Sequence, residues 1–302
     1  MNNPMDIQIL QNIVPQEAFG LNIAIYFYLT GLSAGSFILS TLAYGFGIKM
    51  FKPLGKIGVV MATFLLVLAP VFLLLHLGSP IRFWHLFVYL NPASPLTWGT
   101  FLLILYPINC IIYGYFMFRD KPKQTRIFAF IGIPLAILIH GYTGFIVAMG
   151  KARALWNTAL MPVLFLVSAI VSGIALVIIV YLVVFGVFSK NRKPDFQLVG
   201  KLATILAWAI VLDLFLVGSD LIVLAVSHSE AQEVLQVLIR GKFFVPFLII
   251  ENLLGKVLPF FLLVIPKFRN IFTIILASIL VIIGIFFMRY VVVVGGESVP
   301  LI

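Results

Sequence analysis

The sequence predicts an all-α integral membrane protein with eight transmembrane helices, from its composition, the placement of its charges and the length of its apolar segments. Of the 302 residues, 63% are hydrophobic and only 10% are charged, whereas a water-soluble domain carries roughly 25% charged residues. The apolar segments are about 20 residues long, the length of a helix that crosses a bilayer. The two-residue alternation of a membrane β-barrel is not visible, which leaves the helical class.

Each predicted span is an apolar run that ends at charged residues, proline or glycine, as expected for helices that end at the membrane surface. In chain order the spans are 19–47, 56–77, 97–118, 126–149, 160–188, 202–228, 242–265 and 270–292. Segment 78–96, after the second span, contains three prolines and is too short to cross. Trp84 and Trp98 are placed like aromatic anchors at the membrane interface. We therefore expect a surface or re-entrant segment there.

The distribution of lysine and arginine predicts the orientation. Alternate breaks between spans carry 13 of the 20 basic residues, the opposite face carries six, among them Arg289, and Lys256 lies within a span. Because basic loops stay on the cytoplasmic side, both termini are expected outside. The net charge of +10 follows from this topology, and no basic patch with interleaved aromatics indicates a nucleic-acid partner. The N-terminus lacks a basic segment and cleavage site, so no cleaved signal peptide is expected.

Two small-residue patches suggest how the helices are organised. Segments 30–36 and 168–175 are rich in Gly, Ala and Ser, residues that let membrane helices approach closely. They lie about 138 residues apart, near half the chain. A parallel duplication of a four-helix unit explains this spacing, and ordinary helix packing explains it equally well. The predicted domains are a periplasmic segment 1–18, a first four-helix bundle 19–149, a linker 150–159, a second four-helix bundle 160–294 and a periplasmic tail 295–302.

Polar residues of three helices are predicted at one level near the outer face. At 1.5 Å per residue, Asn22 lies about 5 Å deep, Tyr26 and Tyr142 lie about 10 Å deep, His140 is slightly deeper and His76 ends its helix. Such donors and proton carriers suit a quinone head group, which needs hydrogen bonds at two carbonyl oxygens and exchanges two protons. The alternatives are ordinary interfacial aromatics and helix-end residues, or a haem held by the two histidines.

The second half places four charged residues inside predicted spans, which is costly unless they pair or serve a function. By the same rise per residue, Asp213 and Lys256 lie about 22 and 21 Å below the outer helix ends, and Asp220 and Glu251 lie about 12 and 13 Å down. We therefore predict an ion pair between Asp213 and Lys256. Structural pairing, a proton or ion path, and the binding site of a secondary transporter all remain open for this set.

Four motifs carry a resemblance to a known family. They are YFYLTGLSAGSF (26–37), HLGSPIRFWHLF (76–87), NPASPLTWG (91–99) and HGYTGFIVAMGKARALWNTALMPVLFLVSAIVSG (140–173). With these motifs the chain resembles the NrfD-like family, which includes the membrane subunit of polysulfide reductase. The second and fourth motifs are the more specific, because no general requirement of a membrane helix produces them.

The resemblance implies a multi-pass protein of the prokaryotic cytoplasmic membrane that binds menaquinone or ubiquinone near the outer face and contains no haem or metal. Its single cysteine, Cys110, likewise permits no iron–sulfur cluster within the chain. The expected partners, besides membrane lipids, are a ferredoxin-like iron–sulfur subunit and a periplasmic catalytic subunit, either a molybdopterin enzyme or a multihaem cytochrome. We expect no turnover by the isolated chain, and coupling to proton translocation is an open possibility.

The resemblance also assigns roles to individual residues. Tyr142 matches the quinone-contacting tyrosine of the family and Asn22 its asparagine near the start of the first helix, whereas Tyr26 stands where some relatives have histidine. Arg82 and Trp156 match motif positions expected to shape the surface on which the partner docks. The full set expected at that surface is Arg82, Trp84, Lys151, Arg153 and Trp156.

Overall fold

The computed structural model describes residues 19–188 and 194–298, so the predicted segment 1–18 and the last residues of the tail lie outside it. Ten helices, α1 to α10, are defined within these ranges, and eight of them are long and apolar enough to cross a membrane. The spanning helices are α1 (Leu21–Tyr44), α2 (Lys49–His76), α4 (Pro95–Phe118), α5 (Pro122–Ala148), α6 (Met161–Gly186), α7 (Phe196–Val226), α9 (Phe244–Val264) and α10 (Ile271–Ser298). The shorter ones are α3 (His85–Val88) and α8 (Ser229–Ile239). The predicted fold class is confirmed: the protein is a multi-pass, all-α integral membrane protein.

The spanning helices pack as two rings of four. In the first ring α1 contacts α2 and α5, and α4 closes the ring between them. In the second ring α6 contacts α7 and α10, and α9 lies between those two. Helices α1 and α6 also pack against each other, so the most buried helix of each ring lies at the centre of the molecule.

The contact between α1 and α6 depends on the two small-residue patches. A Cβ atom on Gly35 would lie 2.2 Å from the carbonyl oxygen of Ala169 and 2.8 Å from the Cα of Gly173. Glycine is therefore required at this crossing, because any side chain would push the helices apart. Gly35 and Gly173 are 138 residues apart in the sequence.

Segment 78–96 does not cross the membrane, as expected from its length and prolines. It contains a short 3₁₀ turn at Pro80–Arg82 and the four-residue helix α3, and nearly all of its side chains are exposed. The indole of Trp98 donates to the carbonyl oxygen of Pro92, at 2.9 Å. This bond fixes the end of the segment against the first turn of α4.

Three features of the second half were not expected from the sequence. Helix α8 follows α7 directly and buries only Ala231, Val234 and Leu238, the spacing of an amphipathic surface helix. The larger part of α9, Phe244–Val257, is π-helical, and it contains two of the predicted charged residues. Helix α10 also continues six residues beyond its predicted end at 292, to Ser298.

Candidate functional site

Two tyrosines of the first bundle lie together near the predicted outer ends of their helices. The side chain of Tyr26 on α1 is 5% exposed, and that of Tyr142 on α5 is partly buried. The two phenol groups are close enough to interact electrostatically. Within the part of the chain that the structure describes, neither hydroxyl has a hydrogen-bond partner. Two neighbouring phenols without partners are available to a ligand with acceptor oxygens.

The ring of Tyr142 is placed by a glycine on the neighbouring helix. A Cβ atom on Gly99 of α4 would lie 2.1 Å from both Cζ and the hydroxyl oxygen of Tyr142. The absence of a side chain at this position therefore creates the space that the phenol occupies. Gly99 ends the NPASPLTWG motif, so the motif contributes to the site through packing rather than through a polar group.

The remaining residues of the predicted quinone set are distributed differently. Asn22 lies in the first turn of α1, one turn above Tyr26, and is partly exposed. His76 is the last residue of α2 and is also partly buried. Both therefore lie at helix ends on the side where the tyrosines are found, as their depths predicted.

His140 lies at the contact between the bundles and not beside the tyrosines, which differs from the expectation. Its side chain is completely buried, with Cε1 against the backbone of Gly31 and Nε2 3.3 Å from an Nη atom of Arg289. Since residues two apart on an α-helix point about 200° apart, His140 and Tyr142 face different neighbours. The contact with Arg289 also removes His140 Nε2 as a free ligand for a haem iron.

The predicted ion pair of the second bundle is present. The ammonium group of Lys256 lies 2.8 Å from Asp213 Oδ2 and 2.9 Å from Glu251 Oε1. None of the three side chains is more than 2% exposed. One buried cation thus joins two buried carboxylates from α7 and α9, a denser cluster than the single pair expected from depth.

The π-helical turn of α9 explains why Glu251 belongs to the cluster. Residues five apart on a regular α-helix point about 140° away from each other, whereas i to i+5 bonding brings them onto one face. Glu251 and Lys256 are five residues apart and hydrogen-bonded at 2.9 Å. The cluster is therefore formed by the local conformation of the backbone as well as by the side chains.

Asp220 lies apart from the ion pair, beside a small cavity. A cavity of about 30 Å³ is lined by Asp220 and Glu251 among otherwise apolar side chains of α6 to α10. This volume is enough for at least one water molecule, and two carboxyl groups supply the polar contacts that a buried water needs. Asp220 and Glu251 are 9% and 2% exposed. The two carboxyl groups, which were predicted at nearly equal depth, line the same cavity.

Arg289 is a fifth buried charge, besides Asp213, Asp220, Glu251 and Lys256. The sequence analysis assigned it to the outer surface. Its side chain is completely buried, because α10 continues for nine residues beyond it, about 13 Å at 1.5 Å per residue. The missed signal was the run VVVV after Tyr290, which is apolar enough to extend the span. The guanidinium group contacts the carbonyl oxygen of Phe165 at 2.9 Å and the hydroxyl of Ser168 at 2.6 Å.

The expected docking residues divide into exposed and internal ones. Arg82, Trp84 and Lys151 are exposed, as the expectation requires. Trp156 is only 3% exposed and its indole donates to the carbonyl oxygen of Val292, at 2.7 Å. Its placement on the docking surface is therefore a correction, because its polar atom is already used within the chain.

Arg153 is also engaged within the chain. It forms an ion pair of 3.1 Å with Glu297 and donates to the backbone carbonyls of Gly296 and Glu297. Arg153 and Trp156 together attach the linker between the bundles to the end of α10. We conclude that these two motif residues hold the bundles together rather than forming a free surface.

Comparison with known proteins gives a consistent result. The sequence model of the family described as "Polysulphide reductase, NrfD" matches residues 11–300. The protein is 30% identical to the C subunit of selenate reductase from Mesobacillus selenatarsenatis, over 94% of this chain and 75% of that protein. It is 32% identical to the Hdr-like menaquinol oxidoreductase integral membrane subunit of Archaeoglobus fulgidus, over 88% of this chain and 67% of the relative.

A more distant relative is the protein NrfD of Escherichia coli, 26% identical over 73% of this chain and 76% of that protein. The first two relatives are subunits of reductase and oxidoreductase complexes by name. The family match spans both bundles and the linker that joins them. The protein belongs to the polysulphide reductase, NrfD family, a family of membrane subunits of oxidoreductase complexes.

Proposed function

We propose that this protein is the quinone-reactive subunit of a respiratory oxidoreductase complex and binds the quinone head group between Tyr26 and Tyr142. The observation that carries the proposal is the pair of neighbouring phenols, which have no other partner in the described ranges. They lie beside the exposed start of α1, where a quinone could enter from the bilayer. The menaquinol oxidoreductase subunit among the relatives supports the same substrate class.

The side chains suit the head group chemically. Menaquinone or ubiquinone accepts hydrogen bonds at two carbonyl oxygens and supplies two-electron, two-proton redox chemistry when bound. Tyr26, Tyr142 and the amide of Asn22 are donors at one level of the bundle. His76, at the end of α2, is the group placed to exchange protons with the outer side.

The single cysteine, Cys110, permits no iron–sulfur cluster within this chain. We propose a ferredoxin-like iron–sulfur subunit as the electron-transfer partner, with a periplasmic molybdopterin enzyme or multihaem cytochrome attached to it. The exposed side chains of segment 78–96 support a docking site there. Ile81 is 87% exposed, Trp84 is 48% exposed and Tyr89 is 73% exposed, and Arg82 lies among them. A partner subunit would cover this surface.

A proton path through the second bundle is a second part of the proposal. Its support is the cavity lined by Asp220 and Glu251, because Glu251 is also bonded to Lys256. Carboxyl groups on both sides of a water-sized space are suited to pass a proton. Structural pairing with Lys256 explains Asp213 and Glu251, but it does not explain Asp220, a further buried carboxyl group beside the cavity.

The test of the quinone site is quinol oxidation by the assembled complex, with a reduced short-chain menaquinone analogue as substrate. Tyr142→Phe combined with His76→Ala is expected to lower kcat/KM at least tenfold, because one donor and one proton carrier are lost. Tyr115→Phe is the matched control, since Tyr115 lies exposed at the opposite end of α4. Near-normal oxidation by the double variant would remove the site from consideration.

A further inference from the structure

Arg289 joins the two bundles through contacts on both sides. It belongs to α10 of the second bundle, and one Nη atom lies 3.3 Å from Nε2 of His140 on α5 of the first. The same Nη atom donates to Phe165 and Ser168 of α6, and the guanidinium carbon lies 3.7 Å from the centre of the Phe165 ring. The side chain of Arg289 is thus held in one position by contacts with acceptor groups of both bundles.

The contact with Arg289 indicates which nitrogen of His140 carries the proton. A guanidinium group has donors and no acceptor, so a hydrogen bond between the two groups assigns Nε2 of a neutral imidazole as the acceptor, with one Nη hydrogen shared with a second acceptor, and places the imidazole proton on Nδ1. Nδ1 is buried and has no hydrogen-bond partner among the described residues. Arg289 is the charged group that faces His140. The residues that pack around the imidazole from α1 and α6, Gly31 and Phe165, do not titrate.

Arg289 also completes the charge balance of the cluster. Lys256 is paired with both Asp213 and Glu251, which leaves one negative charge in excess when both carboxylates are ionised. Arg289 is completely buried on α10, which packs against α9, so its charge lies in the same buried region as the cluster. Its positive charge makes the set of four neutral, and buried charge is tolerated only when it is compensated.

Close packing of α9 on α10 brings the groups together. A Cβ atom on Gly284 would lie 2.5 Å from the Cα of Gly255, so the two backbones are in contact. Gly255 precedes Lys256, and Gly284 lies five residues before Arg289. Both cations therefore extend from the same crossing, one toward the carboxylates and one toward the first bundle.

We infer that Arg289 is a positioning residue with two functions: it neutralises the Asp213–Glu251–Lys256 cluster, and it holds His140 neutral on α5, the helix that also carries Tyr142 of the proposed quinone site. The second function rests on the proposed function of Tyr26 and Tyr142. A proton added to His140 would place a second positive charge against the guanidinium and break their hydrogen bond. This contact therefore couples the protonation of His140 in the first bundle to the charge of the Asp213–Glu251–Lys256 cluster in the second.

The first experiment tests the charge balance by rescue and uses thermal unfolding of the purified complex. Arg289→Met leaves the cluster with an excess negative charge and is expected to lower the Tm clearly. Arg289→Met combined with Glu251→Gln restores neutrality and is expected to recover at least half of that loss. Arg240→Met, at an exposed arginine that follows α8, is the control and leaves the Tm unchanged. A double variant no more stable than Arg289→Met alone would overturn this part of the inference.

The second experiment tests the positioning of His140 and uses the pH profile of quinol oxidation with the same menaquinol analogue. Arg289→Lys keeps the charge but not the fixed planar group of donors. The Tm is expected near the wild-type value, while the pH profile shifts because His140 is no longer held as an acceptor. His140→Gln, which cannot be protonated, is expected to remove that shift when combined with Arg289→Lys. An unchanged profile in Arg289→Lys would contradict the positioning function.

The outcomes separate this inference from the proposed quinone site. If Tyr142→Phe with His76→Ala keeps full oxidation, the quinone site is wrong, and the Tm rescue by Glu251→Gln still decides the charge balance. If Tyr142→Phe with His76→Ala loses quinol oxidation, the quinone site stands. If Arg289→Met with Glu251→Gln then oxidises quinol normally, the His140 function is wrong.

Discussion

Removal of the Lys256 ammonium is the perturbation with the largest calculable effect on stability. Its nitrogen lies 2.8 Å from Asp213 Oδ2 and 2.9 Å from Glu251 Oε1, with all three side chains at most 2% exposed. At an effective dielectric constant of about 20, one such contact corresponds to about 6 kcal/mol of gross Coulomb attraction. Desolvation of the ions cancels much of this attraction, so the net contribution of the pair is smaller.

Breaking the pair from one side leaves an uncompensated charge. Lys256→Gln is therefore expected to lower the free energy of unfolding by roughly 3–5 kcal/mol. Asp213→Asn is expected to cost less, because Glu251 remains bonded to the ammonium. In the Lys256→Gln background the same Asp213→Asn change removes a buried unpaired carboxylate and becomes neutral or stabilising. The expected coupling energy in the double-mutant cycle is about 2 kcal/mol.

The measurement is denaturation of the full chain in mixed detergent micelles, followed by the loss of helical circular dichroism. Asp220→Asn serves as the matched control, because Asp220 is a buried aspartate of the same helix about 10 Å along its axis from Asp213. Its effect should add to that of Lys256→Gln within about 0.5 kcal/mol. Additivity of Asp213→Asn and Lys256→Gln within the same margin would show that the ion pair does not stabilise the fold.

Two glycine substitutions test the packing of the helices. Gly35→Ala places a Cβ atom 2.2 Å from a carbonyl oxygen of α6 and is expected to abolish the monodisperse complex in size-exclusion chromatography, whereas Gly218→Ala, with no neighbour within 4 Å, leaves its yield unchanged. Gly99→Ala places a Cβ atom 2.1 Å from the Tyr142 ring and is expected to lower quinol oxidation roughly tenfold without loss of assembly, and Gly141→Ala, with no neighbour within 4 Å, is the control. Normal oxidation by Gly99→Ala would show that the position of this ring is not important.

The sequence predicts much of the fold because hydropathy and helix length are one-dimensional properties. All eight spans, the non-spanning segment 78–96 and the depth match between Asp213 and Lys256 follow from counting residues along helices. The rise per residue gives the depth of a side chain, and the ion pair required nothing more. The predicted orientation of the termini rests on loop charge alone and stays a prediction.

The direction of a side chain around its helix is less predictable, and this is where the site differs from expectation. His140 and Tyr142 have nearly equal depth, but the first faces Arg289 and the second faces Gly99. Depth places groups at one level without saying which neighbours they meet. The docking motif shows the same limit, since Trp156 lies at the expected level and is buried against α10. Helix α8 was missed because it is too short and too polar to register as a span.

The π-helical turn is the feature that sequence reasoning had least means to find, and it gives a direct test of the cluster. Exchanging the residues at two positions, as Glu251→Asn with Asn252→Glu, moves the carboxylate from five to four residues before Lys256. In an α-helix this spacing forms a favourable pair, so the exchange would preserve stability. In the π-helical backbone the new carboxylate points away from the ammonium, and the exchange is expected to cost at least as much as Glu251→Gln alone, which itself costs less than Lys256→Gln because Asp213 remains bonded to the ammonium. The two variants are compared by the same detergent denaturation. An exchange variant clearly more stable than Glu251→Gln would mean that α9 is a regular helix at this position and that Glu251 joins the cluster for another reason.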